Sequence, residues 1–75
     1  MKYQVVFEYH TDSSAMSDVY HFSDEHKALD QFNELRDGIL HAIDAGQCEV
    51  TDEPDLFSVV NREAQLLAYV RLLRE

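Results

Sequence analysis

Apolar and polar residues alternate almost one by one through Tyr3-Gln4-Val5-Val6-Phe7-Glu8-Tyr9-His10. Tyr3, Val5, Phe7 and Tyr9 fall on one side of this segment; Gln4, Glu8 and His10 fall on the other, with Val6. A period of two, rich in aromatic and β-branched residues, marks a half-buried strand. Residues 11–17 show no period and are dense in turn formers. Alternation returns in Asp18-Val19-Tyr20-His21-Phe22-Ser23, where Tyr20 and Phe22 share a face. The short connection predicts an antiparallel hairpin.

At Ser23-Asp24-Glu25 the period lengthens. A hydroxyl cap followed by acids suits the positive end of a helix dipole. Steps of 100° gather Ala28, Leu29, Phe32, Leu35, Ile39, Leu40, Ala42 and Ile43 into one apolar arc. Gly38 falls in mid-helix, where it costs about 1 kcal/mol relative to alanine. Ile39 and Ile43 nevertheless keep the phase of Phe32. The pattern therefore predicts one helix over residues 24–45, closed by Gly46 as a C-cap.

Asp52-Glu53-Pro54-Asp55 is a turn signal, and Leu56-Phe57-Ser58-Val59-Val60 reads as a strand. Helix propensity rises over residues 61–65, which leaves a helical C-terminal segment as the alternative. Wrapped as a helix, however, residues 56–73 are apolar all round. As a strand, Leu66, Ala68, Val70 and Leu72 line one side, with Leu67, Tyr69, Arg71 and Leu73 on the other. A second hairpin turning at 61–65 is the better fit. The fold class is α+β: ββαββ, a four-stranded antiparallel sheet with one amphipathic helix packed on one face.

Seventy-five residues have room for one core, so residues 1–75 form a single domain. No apolar run approaches the roughly 20 residues needed to span a bilayer. Met1-Lys2-Tyr3-Gln4 enters the strand pattern without an apolar leader, which predicts a cytoplasmic protein. The sheet face away from the helix would carry Val6, Val19, Leu67, Tyr69 and Leu73. So semi-apolar a face predicts a homodimer or a bound partner there.

Catalytic chemistry finds little support. Cys48 is the single cysteine, and it follows the helix end, where nothing lowers a thiol pKa. Ser13, Ser14 and Ser17 lack a Gly-x-Ser-x-Gly elbow. Two glycines, Gly38 and Gly46, cannot build a phosphate-cradling loop. A domain this small has little volume for a pocket that separates the pKa values of paired carboxylates. Neither an enzyme nor a cofactor is expected. Four histidines are many for this length, and His10 and His21, with Asp12 and Asp18 near them, could approach one another as ligands for a divalent metal. No spacing such as His-Glu-x-x-His supports such a site, so the expectation is polar residues on a solvated hairpin.

Charge is more informative. Fifteen acids against six bases leave a net charge of −9, which argues against direct nucleic-acid binding. On the helical wheel Asp30, Glu34, Asp37, His41 and Asp44 form a stripe opposite the apolar arc, about 21 Å long at about 1.5 Å per residue. Glu49, Asp52, Glu53 and Asp55 crowd the segment beyond the helix. A solvated helix face is the ordinary explanation. Against it, the stripe lacks the interspersed lysines that stabilise exposed helices through i,i+4 pairs.

A row of carboxylates at such intervals resembles a phosphate backbone. It suits an inhibitor that occupies the nucleic-acid groove of a basic partner. In size and charge the chain resembles small acidic anti-restriction and anti-CRISPR proteins of phages and mobile elements. Separately, Met1-Lys2-Tyr3-Gln4-Val5-Val6-Phe7-Glu8, leading into strand and helix, is similar to the start of HicB-type antitoxins over about the first third of the chain. Where those antitoxins carry a glycine-rich stretch, this chain reads Ser23-Asp24-Glu25. The expected function is a non-enzymatic interaction module that binds a basic, nucleic-acid-binding protein. The alternatives are an antitoxin or immunity protein, and a metal- or ligand-responsive regulatory domain.

Overall fold

The computed structural model describes residues 2–11 and 13–75, apart from the side chain of residue 45. Strands β1 (Tyr3–His10) and β2 (Ala15–Phe22) form the first hairpin; helix α1 (Glu25–Ala42) follows, then a 3-10 turn at Ala45–Gln47. Three strands complete the chain: β3 (Cys48–Glu53), β4 (Leu56–Asn61) and β5 (Leu66–Arg74). The sheet is antiparallel throughout, in the order β2-β1-β5-β4-β3. The α+β class stands, but the sheet has five strands where the sequence pattern shows four.

The missing strand is β3. Its sequence, Cys48-Glu49-Val50-Thr51-Asp52-Glu53, holds three acids and only two β-branched residues, so propensity argues against it. Backbone pairing decides otherwise: Glu53 opposes Leu56 across the two-residue turn Pro54-Asp55, and the ladder runs on to Cys48 opposite Asn61. β2 is also longer than its pattern. Ala15, Met16 and Ser17 pair with His10, Tyr9 and Glu8, which leaves only residues 11–14 as the connection. There the Thr11 N–H donates to the Ser14 carbonyl at 2.8 Å.

Helix α1 is shorter than residues 24–45. Asp24, not Ser23, caps its start: the Asp24 carboxylate accepts the His26 N–H at 2.8 Å. At the other end Ile43 is extended (φ −111°, ψ 160°), and its N–H closes on the Ile39 carbonyl at 3.1 Å. Asp44 then accepts the Gly46 N–H at 3.0 Å and starts the 3-10 turn. Gly46 has no positive φ and is not the helix C-cap.

The apolar arc of α1 lies over β1 and β5. Phe32 is fully buried against Val5, Phe57, Val59 and Val70, with Ala28, Ile39, Ala68 and Leu72 around them. Removing a side chain such as Phe32 from this core would cost about 3–5 kcal/mol. Leu40, placed in the arc by the wheel, is 38% exposed and outside the core. Among the described residues no polar or charged residue is buried.

The C-terminal segment is a strand, so its helical alternative is not realised. Its alternation breaks once. Val59 pairs with Ala68 but Val60 pairs with Leu66, so Leu67 is the extra residue of a β-bulge. Leu67 packs against the core cluster and Leu66, 37% exposed, falls opposite Val60 on the outer face. Leu67 therefore leaves the outer-face set, which becomes Val6, Val19, Leu56, Val60, Leu66, Tyr69 and Leu73.

The radius of gyration is 12.5 Å, above the about 11.3 Å expected of a compact chain this long. One helix covers part of one face of a five-stranded sheet and none of the other.

Candidate interaction surface

Residues Asp30, Glu34 and Asp37 follow one another at helical spacings of four and three, and all three are exposed on α1. His41 continues the row, its Nδ1 donating to the Asp37 carbonyl at 2.7 Å. Asp44 does not belong to the row, because it lies beyond the helix end and its carboxylate is engaged on Gly46. The stripe shortens to Asp30–His41, about 17 Å.

The acids after the helix separate by strand alternation. Glu49 and Glu53 point to the outer side of β3, while Asp52 faces the helix side, opposite buried Phe57. Arg36 reaches Asp52 at 3.7 Å and its neighbour Asp37 at 3.4 Å. Asp55, in the β3–β4 turn, lies 3.8 Å from Arg74, which also holds Glu25 at 3.5 Å. The eight acids expected to form one surface thus divide. Three line the helix, Asp52 and Asp55 are bound to arginines, Asp44 is a cap, and Glu49 and Glu53 face away. The arginine pairs are loose and about half exposed, worth about 0–1 kcal/mol each, so Asp37, Asp52 and Asp55 still contribute their field.

Beside Glu34 lies a feature the sequence does not announce. A groove of 320 Å³ runs between α1 and the hairpin, walled by Phe7, Tyr9 and Met16 from the sheet and by Leu35, Gly38 and Ile39 from the helix, with Glu34 and Gln31 on its rim. Met16 is 61% exposed here. The groove exists because α1 sits mainly over β1 and β5 and covers β2 only in part. Gly38 opens it further, since a Cβ at this position would meet nothing within 4 Å. Helical spacing of Gln31, Glu34 and Gly38 was the available signal, but only the β2 pairing shows what faces it.

The histidines do not converge. His10 pairs with Ala15 and His21 with Gln4, which sets them six positions apart along the hairpin, about 20 Å. Asp18, opposite Phe7, points to the helix side, away from both. Asp12 lies outside the described residues. His10 instead approaches Glu8 at 3.6 Å. Among the described residues no group of three or more His, Cys, Asp or Glu side chains is placed to hold a metal ion. Cys48 is a free, half-buried thiol. No helix among the described residues is long and apolar enough to cross a membrane.

The outer sheet face is more apolar across β2, β1, β5 and β4, with Val6, Val19, Leu56, Val60, Tyr69 and Leu73 on it. Over β2, β1, β5 and β4 its charged side chains are Glu8 and Arg71. Glu49 and Glu53 of β3, and Glu75, whose carboxylate accepts from Gln4 Nε2 at 2.9 Å, add acids to the same side, so this face shares the negative sign of the chain. Arg71 is held above its ordinary pKa chiefly by a side-chain hydrogen bond to Tyr69, its neighbour on this face. Compared with known protein families, curated proteins and solved structures, the chain finds no match.

Proposed function

We propose that the chain is a non-enzymatic interaction module that binds a basic partner through the helix side of the sheet and blocks the surface which that partner uses for nucleic acid. The observation that supports this reading is the conjunction of exposed Asp30, Glu34 and Asp37 with an apolar groove whose rim includes Glu34. Carboxylates alone would bind any cation weakly. Carboxylates beside an apolar slot select a surface on which lysines or arginines flank a protruding apolar side chain. The slot holds that side chain, and the acids meet the bases around it.

The footprint is shorter than the sequence suggests, with three helix carboxylates in place of a continuous row to Asp44. It is also denser in apolar contact. Steering comes from the whole net charge, and specificity comes from the groove.

The test is binding of the partner recovered with the wild-type chain by a triple variant, Asp30→Asn, Glu34→Gln and Asp37→Asn. Charge-assisted contacts contribute about 1.5–3 kcal/mol each when well made, but exposed ones about 1 kcal/mol; losing three exposed contacts weakens affinity by about ten- to a hundredfold. Affinity should also fall as salt rises from about 50 to about 500 mM, where the Debye length shrinks well below the footprint. Full affinity in the triple variant, or indifference to salt, overturns the proposal. Loss in Asp52→Asn/Glu53→Gln/Asp55→Asn instead would move the interface to the β3–β4 hairpin.

A further inference from the structure

The sheet ends in two unlike edges. β3 carries Glu49, Asp52 and Glu53 among its six residues, so another strand would lie against three acids. β2 is longer and pairs residue for residue with β1 from Ala15 to Phe22, and it holds no proline, glycine or lysine. Its one acid is Asp18.

Register shows which groups this edge offers. The Thr11 N–H donates to the Ser14 carbonyl, which makes residues 11 and 14 a hydrogen-bonded pair. Antiparallel ladders alternate, so Ala15, Ser17, Val19 and His21 turn their backbone N–H and C=O groups away from β1. Val19 shows the same phase: its N–H donates to the Asp18 carboxylate at 2.8 Å. In the middle of the open edge, Asp18 thus occupies a donor that an added strand would need.

That contact sets a condition on the occupant. An incoming strand must draw Asp18 off the Val19 N–H. A neutral strand gives the carboxylate no charged partner in exchange, and an acidic one repels it. A lysine or arginine opposite Asp18 replaces the lost hydrogen bond with a charge-assisted one. A second copy of this chain is repelled by its own net charge of −9 and brings another Asp18. Around the carboxylate, a hollow of 390 Å³ lined by Phe7, Met16 and Tyr20 reaches the edge at Ala15 and Ser17. It can take the methylene stem of such a cation. Asp18 also points to the helix side, where the groove with Glu34 on its rim lies.

We infer that the basic partner adds an extended segment to β2 as a sixth strand, with a lysine or arginine set on Asp18 and apolar side chains at alternate positions on the helix side. The inference rests on the reading above that the partner is basic, and it names how that partner engages. Main-chain pairing with Ser17, Val19 and His21 gives affinity, and Asp18 selects the charge.

The probe is a seven-residue peptide of alternating threonine and valine, acetylated and amidated, with its central valine exchanged for lysine. Titrated through the millimolar range into the full chain, it should shift the backbone amide resonances of Ser17, Val19 and His21 and slow their hydrogen exchange. The same peptide methylated at its threonine nitrogens, which would face β2, should not bind. Replacing its lysine by glutamine should weaken binding by about fivefold in wild type and by less than about twofold in Asp18→Ala, with circular dichroism to verify that this variant is folded. Absence of shifts, shifts confined to α1, or binding untouched by methylation overturns strand addition. An undiminished preference for lysine in Asp18→Ala overturns the role of Asp18. Concentration-dependent protection of the β2 amides without peptide would give the edge to a second copy and overturn the inference as well. The helix triple variant should still bind the peptide at β2, which separates this result from the fate of the partner-binding proposal.

Discussion

Arg36 Nη1 lies 3.7 Å from Asp52 Oδ1, across the gap between the helix and the edge strand. The pair joins α1 to β3, a strand whose composition opposes strand formation. Arg36 is an amphipathic link: its side chain is mostly buried, its Nε is buried without a hydrogen-bond partner, and its tip reaches two half-exposed acids. Favourable and unfavourable terms therefore meet in one side chain.

This mixture gives the first prediction. Arg36→Met keeps the packed stem, loses two loose ion pairs and removes a buried unpartnered nitrogen whose desolvation costs about 1–3 kcal/mol. Stability should stay within about 1 kcal/mol of wild type. Arg36→Ala also loses the stem contacts and should fall by about 1–2 kcal/mol. Urea midpoints at constant m-value measure both. Equal losses in Met and Ala would mean that the charge, not the stem, matters.

The helix start supplies the second. Asp24 makes the cap bond to the His26 N–H, whereas Ser23 precedes it in a bend. Asp24→Ala should cost about 0.5–2 kcal/mol, and Ser23→Ala only a few tenths. A larger loss at Ser23 in thermal or urea unfolding would return the cap to the hydroxyl.

Serine and aspartate are both good caps, and sequence alone cannot choose between neighbours; the backbone geometry at Asp24 makes the choice. The same boundary runs through the whole chain. Alternation in β1 and the phase of Phe32 and Ile39 were legible because burial imposes them directly. β3 was not, because an edge strand exposed on both faces from Glu49 to Glu53 needs few apolar residues, and its acids guard the edge against further pairing. The slip at Leu67 was invisible, since a bulge changes phase without changing composition. Acidity was legible as a total. Its division was not, because Arg36–Asp52 and Arg74–Glu25 join residues far apart in sequence. The spacing of His10 and His21 likewise depended on hairpin register, which starts at Ala15 and not at Asp18.

A third prediction concerns the β4–β5 turn. The Asn61 side-chain oxygen accepts the N–H groups of Glu63 and Gln65 at 2.9 and 3.0 Å, and Ala64 sits at φ 63°, in the left-handed region. Asn61→Ala strips both acceptor contacts and should destabilise by about 1–2 kcal/mol. Ala64→Gly relieves the left-handed strain, and should stabilise by up to about 1 kcal/mol. Because β5 is central in the sheet, both changes should shift the global midpoint and not merely local hydrogen exchange. An Ala64→Gly variant less stable than wild type would contradict this account.

Gly38 sets stability against binding. A methyl group there meets nothing within 4 Å, so Gly38→Ala should stabilise the helix by about 0.5–1 kcal/mol through backbone entropy alone. That methyl would project beside a groove lined by Phe7, Met16 and Leu35, narrowing the slot proposed to take a partner's apolar side chain. Asn33→Ala is the control, because Asn33 is exposed on the same helix and outside the groove. It should add a smaller propensity gain of about 0.5 kcal/mol and leave binding unchanged. The expected signature is a Gly38→Ala protein that melts later but holds its partner several-fold more weakly. If Gly38→Ala melts later and binds with full affinity, the groove takes no part in recognition and the helix carboxylates must act alone.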